Sequence, residues 1–354
     1  MKKKFNVVLI LLFVGLSLNA QTPVKVKVKV NEHFHSGSFG GNHVPGTWTA
    51  YIEDQKVYIQ FTGEDWDSGR TFSLAELGTL PRANEGAFTV AREAGTITFK
   101  GEFAGGKGHG FYTFAENPSF KSYLEGKGFS GLDKELMLHI FLTDINKNYF
   151  EFLKVNSYVK ITNDQLKDLA YQDLNRQVME DYFGLFKTEG YGHQTLDKIV
   201  ELREHGVNAK FVNGFHQMGY KNIPLDKALE LRDHGVTPRF VVSIQNLGHK
   251  DITLDRAQEL RDHGVNPEFI QSIQSMGYKD ITLEKAQELR DHGVNPEFIK
   301  SITELGFADL SLDKAQELRD HGVNAEYIKK IKSKGINAHT LDDYIRLRDT
   351  GFNN

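Results

Sequence analysis

Cysteine is absent from all 354 residues. That excludes disulfides, thiolate metal sites, a cysteine nucleophile and a lipidated cysteine anchor. A basic excess is also missing: 43 Lys and Arg stand against 47 Asp and Glu, a net charge of −4 with neutral histidines. Nucleic-acid-binding domains carry clustered positive charge, so no nucleic-acid partner is expected. Beyond the first 20 residues no apolar run approaches the roughly 20 residues that a bilayer-spanning helix needs. No nucleophile elbow, phosphate loop or dinucleotide fingerprint occurs, and "GGKGHG" at 105–110 is too short for a phosphate loop. No catalytic residue, cofactor or metal site is therefore expected. Apolar residues make up 39% and charged residues 25%, which is enough for a packed core.

The first twenty residues have the layout of an address. Lys2, Lys3 and Lys4 precede an almost wholly apolar stretch from Phe5 to Leu18, which Asn19, Ala20 and Gln21 break. This is the pattern of a secretory signal peptide cut after Ala20. The rival, an uncleaved anchor, would need a longer apolar stretch. The chain is thus expected to be exported, to the periplasm or beyond, with no membrane span after cleavage.

The second half is periodic. The string "LRDHGV" recurs with its Arg at 203, 232, 261, 290, 319 and 348 and its Gly at 206, 235, 264, 293, 322 and 351, steps of 29 residues. A period of this size marks a solenoid or array. Within 253–278, Thr253 caps a first helix whose apolar face is Leu254, Ala257 and Leu260. Gly264 supplies a left-handed stop. Asn266 caps a second helix, Pro267 sits at its first position, and Phe269, Ile270 and Ile273 form its apolar face. The pattern predicts second helices starting near 117, 146, 179, 208, 237, 266, 295 and 324, and first helices near 132, 162, 195, 224, 253, 282, 311 and 340. The step from Tyr149 to Tyr182 is 33, which places a four-residue insertion between about 171 and 178.

Residues 21–115 alternate instead. "VKVKVKV" at 24–30, Trp48–Ala50–Ile52 and Val57–Ile59–Phe61 predict strands, the last two as a hairpin. Ala87–Glu93, Thr96–Phe103 and Gly110–Phe114 predict a meander turned by Gly95 and the glycine-rich 104–110. A short helical turn is expected within 72–80. The expected organisation is a signal peptide over 1–20, a small antiparallel β domain over 21–115 and an α-hairpin (α-solenoid) array over 116–354, an α+β two-domain fold.

"REAGTITFKGEF…GKGHGFYTFAENPSF" followed by "LRDHGVNPEFI" units resembles a pairing found in exported bacterial proteins. It is also similar to the extracytoplasmic tails of some membrane zinc metallopeptidases of the beta-lactam-sensor class. The resemblance spans roughly residues 46 to 351. Those peptidases carry membrane helices and an HExxH zinc motif, which this sequence lacks, so their proteolysis is not implied. The resemblance implies a sensing or docking role outside the cytoplasm.

Several residues invite chemistry. His205, His234, His263, His292 and His321 each precede a stop Gly, where a donor suits the negative end of a helix. His33 and His35, with His43 nearby, have the alternation of a chelating strand but no third fixed ligand. Asp65, Asp67 and Glu76 fall at calcium-loop spacing, but Gly69 and Arg70 occupy places that should read oxygen ligand and Gly, so "EDWDSG" is expected to be an acidic hairpin loop. The recurring pairs Arg232–Asp233, Arg261–Asp262, Arg290–Asp291 and Arg319–Asp320 are the candidate partner-binding strip. The competing expectation is that they form Arg-to-Asp bridges between units. The expected function is non-enzymatic protein binding or scaffolding. The alternatives are a sensory module beside a membrane peptidase or receptor, and a secreted hydrolase with an unrecognised site.

Overall fold

The computed structural model describes residues 44–352 apart from positions 65 and 83. The expected strand at 24–30 and His33, His35 and His43 lie outside the described residues. The N-terminal part is a six-stranded antiparallel sheet: β1 (Val44–Glu53), β2 (Lys56–Thr62), β3 (Asp67–Ser73), β4 (Gly86–Arg92), β5 (Gly95–Ala104) and β6 (Lys107–Glu116), in the order β3-β2-β1-β6-β5-β4. A single turn of helix, α1 (Leu74–Leu77), follows β3 and is capped by the Ser73 hydroxyl.

Strict alternation gives the sheet one apolar face. Trp48, Val57, Ile59, Phe61, Phe88, Ile97, Phe99 and Phe114 are all buried on it. The Trp48 ring packs among Phe88, Phe99 and Phe103 at centroid distances of 5.3–5.8 Å. Glycine makes room for it. Gly110 pairs with both Trp48 and Gly101, and a Cβ at Gly101 would lie 2.8 Å from Cζ2 of the Trp48 ring. The expected glycine-rich turn is thus shorter than 104–110, because β6 has already begun at Lys107. The acidic stretch does turn the β2–β3 hairpin, but its loop is shorter than 64–69, because Asp67 already opens β3 opposite Thr62. Only Phe72 of β3 is fully buried, so this edge strand has almost no apolar alternation to read.

The rest is helical. After α2 (Pro118–Gly126) come α3 (Lys134–Leu142), α4 (Lys147–Val155), α5 (Asn163–Tyr171), α6 (Arg176–Glu189), α7 (Leu196–Glu204) and α8 (Ala209–His216). The regular units follow as α9 (Leu225–Asp233), α10 (Pro238–Asn246), α11 (Leu254–Asp262), α12 (Pro267–Ser275), α13 (Leu283–Asp291), α14 (Pro296–Thr303), α15 (Leu312–Asp320), α16 (Ala325–Ser333) and α17 (Leu341–Asp349). Caps fall where the sequence places them: the side chains of Thr253, Asn266, Thr282 and Asn295 each accept the N–H three residues on. Gly264 has φ +70°, the left-handed stop that lets Asn266 begin a new helix.

Two helices carry the irregularity. In α3 every residue from Leu136 to Leu142 is buried, and the helix packs on β1, β5 and β6. A helix buried all round belongs inside, and here it joins the sheet's core to the array's core, with His139 as its one buried polar side chain. Its cap is Asp133, one residue beyond the expected start. In α6 the expected start near 179 is corrected: Asn175 caps the helix, which begins at Arg176 and runs for 14 residues against 9 in its neighbours. Four of the five extra residues are one added turn at its front, not a longer loop, since Tyr182 lies seven residues after its cap and Tyr149 three after Asn146. One turn is 3.6 residues, so Tyr182 stays on the buried face and donates to the Val207 carbonyl, as Tyr149 does to Leu174. Among the described residues, no helix is long and apolar enough to cross a membrane.

Candidate docking surface

The Arg-Asp-His triplet sits where each first helix ends. Arg and Asp close the last turn, and His is the C-cap, its backbone N–H held by a glutamate carbonyl one turn back. The side chains then reach to the neighbouring unit. His234 Nδ1 lies 2.5 Å from Asp262, His263 2.6 Å from Asp291, His292 2.6 Å from Asp320 and His321 2.7 Å from Asp349. His205 pairs with Asp233 in the same way. The hydrogen bond to the aspartate raises the pKa of His205 and of His321 above the usual imidazole value.

The arginines do something different. The guanidinium of Arg232 lies 5.3 Å from the Phe211 ring centroid, Arg261 5.1 Å from Phe240, Arg290 4.5 Å from Phe269 and Arg319 5.1 Å from Phe298. Arg232 Nε also donates to the His205 carbonyl at 3.1 Å, and Arg290 Nε to Gly264 at 3.0 Å. Arg-to-Asp bridges were the expectation. Among the described residues no ion pair joins the candidate arginines to the candidate aspartates: each arginine covers the preceding unit's ring, and each aspartate takes the preceding unit's histidine.

Two further ladders run beside this one. Near the start of each first helix a cation bridges its own glutamate and the next unit's acid. Lys227 lies 2.9 Å from Glu230 and 2.6 Å from Asp255, and Lys285 lies 2.6 Å from Glu288 and 2.5 Å from Asp313. After the second helices, the Tyr191 hydroxyl donates to the Ile223 carbonyl and Tyr278 to Leu310, both at 2.5 Å. Sequence reasoning missed both ladders. The signal was present, since each residue type recurs at steps of 29 with its partner 28 or 32 positions further on. Exposed ion pairs of this kind contribute about 0–1 kcal/mol each; the cation bridge recurs at each junction from α7 to α17, whereas His249 and Phe307 interrupt the tyrosine column.

Outside the ladders the exposed columns differ from unit to unit. Asn213, Val242, Gln271, Lys300 and Lys329 occupy one outward position of the second helices, and all are exposed. Lys210, Arg239, Glu268, Glu297 and Glu326 occupy another, so the surface charge reverses sign along the array. Among the described residues no group of three or more His, Asp or Glu is arranged to hold a metal ion. Asp67 lies on β3, and Glu76 on α1 pairs with Arg92 at 2.6 Å. The architecture defines a class, an antiparallel sheet continued by an α-hairpin array. Comparison with protein-family models, with curated proteins and with solved structures finds no match to this chain.

Proposed function

We propose that the chain is an exported, non-enzymatic binding or scaffold protein whose helical array docks a protein partner. The observation that supports this is the division of labour on the array surface. Arg232, Asp233, Arg261, Asp262, Arg290, Asp291, Arg319 and Asp320 hold one unit to the next, while the outward columns beside them change residue type and charge. A ruler-like frame with variable contact residues suits recognition of an extended protein surface. The export half of the reading rests on the Lys-rich start and apolar run of the first twenty residues. The resemblance to metallopeptidase tails makes a sensory role beside such a peptidase the sharper form of the same proposal.

Deleting residues 253–281 tests it, because that removes one whole 29-residue unit and lets its neighbours meet through the same contacts. The shortened chain should fold, remain helical and retain less partner from an envelope extract than the full chain. Equal retention by a folded deletion variant overturns docking on the array.

A further inference from the structure

We propose that a polar cleft between the sheet and the first helical units binds a small oxyanion-bearing ligand, a carboxylate or a phosphate. None of the candidate-strip residues lines the cleft, which encloses about 530 Å³, within the size range of ligand pockets.

The first observation is Arg70 on β3. Its side chain is only 9% exposed and faces inward into the cleft lining. Nη1 donates to Ser68 Oγ at 2.7 Å and to the Gly69 carbonyl at 2.8 Å. Nε lies 3.3 Å from Asp173 Oδ1. Nη2 is buried and has no partner. Buried donors are ordinarily satisfied, and a buried guanidinium N–H without an acceptor signals a place for one.

The second observation is that two helix starts open onto the same space. Asn146 and Asn175 cap α4 and α6, and each cap takes only the third amide, Tyr149 and Val178 respectively. The first two amides of any helix have no intrahelical acceptor, and the end carries the positive pole of the helix dipole. The protein itself uses this at α4, where the Lys147 amide donates to the Glu93 carboxylate at 3.0 Å. At α6 the Arg176 and Gln177 positions both line the cleft. Backbone amides beside a guanidinium form an oxyanion site.

The surrounding charges leave room for an anion. Arg70, Arg92 and Arg176 line the cleft against Asp144 and Asp173. Arg92 is engaged by Glu76 at 2.6 Å and by the Phe141 carbonyl at 2.6 Å, and Arg176 by Glu180 at 2.8 Å. Asp173 meets Arg70 through Nε alone, so an incoming oxygen on Nη2 adds to that pair without displacing it. Burial raises the pKa of Asp173 above the ordinary carboxylate value, while Arg70 and Arg203 beside it pull the other way.

The test is calorimetric titration of the purified full-length chain with inorganic phosphate and, separately, with acetate. Saturable binding of phosphate, acetate or both supports the site and says which oxyanion it prefers. Asn148→Asp and Gln177→Glu each place a carboxylate at the second position of a helix, where it favours the helix and repels an anion. The double variant gives up the Gln177 donation to Asp181, so it should fold but melt slightly lower, and it should bind the preferred probe roughly tenfold or more weakly, the loss expected when charge-assisted contacts are opposed. No saturable binding of either probe overturns the proposal. So does unchanged affinity in the folded double variant, which would mark an adventitious ion only.

Discussion

In the units from α9 to α16 each contact is made again one unit later, whereas where the sheet meets α3 every contact is made once. His263 and Asp291 repeat as His292 and Asp320, and Arg261 over Phe240 repeats as Arg290 over Phe269. At the junction Arg92 alone ties three elements together: it donates to the Phe141 and Leu142 carbonyls at the end of α3, grips Glu76 on α1, and lies over the Phe72 and Phe141 rings. Repetition divides stability into small equal parts, so damage stays local. A junction made of single contacts concentrates stability, so one residue there should matter more than its counterpart in the array.

The largest effect should come from Phe141→Ala. The ring is fully buried between Phe114 and Arg92, and truncation should cost about 3–5 kcal/mol and merge the loss of sheet and early helices into one transition. Denaturant unfolding followed by tryptophan fluorescence checks it, since both tryptophans, Trp48 and Trp66, belong to the sheet region. Loss confined to the C-terminal helices would break the comparison.

Acid should separate the two regions next. His139 is buried against Trp66 and Tyr171 with neither ring nitrogen bonded, and burial pulls its pKa from 6.5 down to about 4. A depressed folded pKa means stability present above pH 6.5 and lost as pH falls towards 4, roughly 3 kcal/mol over the full window. His205 and His321 have the opposite sign. Their raised pKa values give stability that is full below pH 6.5 and fades as pH rises through the folded values. Between pH 6.5 and 5 the fluorescence-detected stability should fall, while circular dichroism of the helices holds. His139→Leu should abolish the acid limb, and an unchanged acid profile in that variant would assign it elsewhere.

A matched pair sharpens the contrast. Arg92→Ala should cost about 2–3 kcal/mol, because it strips hydrogen bonds from buried helix-end carbonyls. Arg261→Ala removes an exposed guanidinium from one ring and should cost about 0.5–1 kcal/mol. Equal melting shifts would remove the distinction between junction and array.

The smallest effects lie inside one unit. Gly264→Val forces a β-branched residue to φ +70° and should cost about 1–3 kcal/mol, although the space around a Cβ is open. His263→Ala breaks one exposed rung and should cost under about 1 kcal/mol. Thermal melts of the two variants should rank in that order.

These expectations draw on features that were legible to different degrees. Caps such as Thr253 and Asn266 could be read from the sequence because a helix start needs a particular side chain at a particular place. Strand β3 could not, since Arg70 and Ser68 stand on its inward face where apolar residues would announce a strand. The pairing of β1 with β6 was hidden as well, because sixty residues separate Trp48 from its partner Gly110 and nothing local records the contact. The four extra residues were located between about 171 and 178, but the helix start was placed at 179 rather than at Asn175, because a whole added turn leaves the apolar face unmoved. On the candidate strip the residue types were visible, but their partners were not: spacing alone does not say that Asp takes the neighbour's His while Arg takes its ring.

The histidine ladder has a direction. Each rung needs an imidazole from one unit and a carboxylate from the next, and Asp349 accepts from His321. Where the preceding units follow this aspartate with His, α17 is followed by Thr350, which donates its hydroxyl to its own helix at Leu347. The imidazole column, His205 to His321, thus stops one unit before the carboxylate column, Asp233 to Asp349.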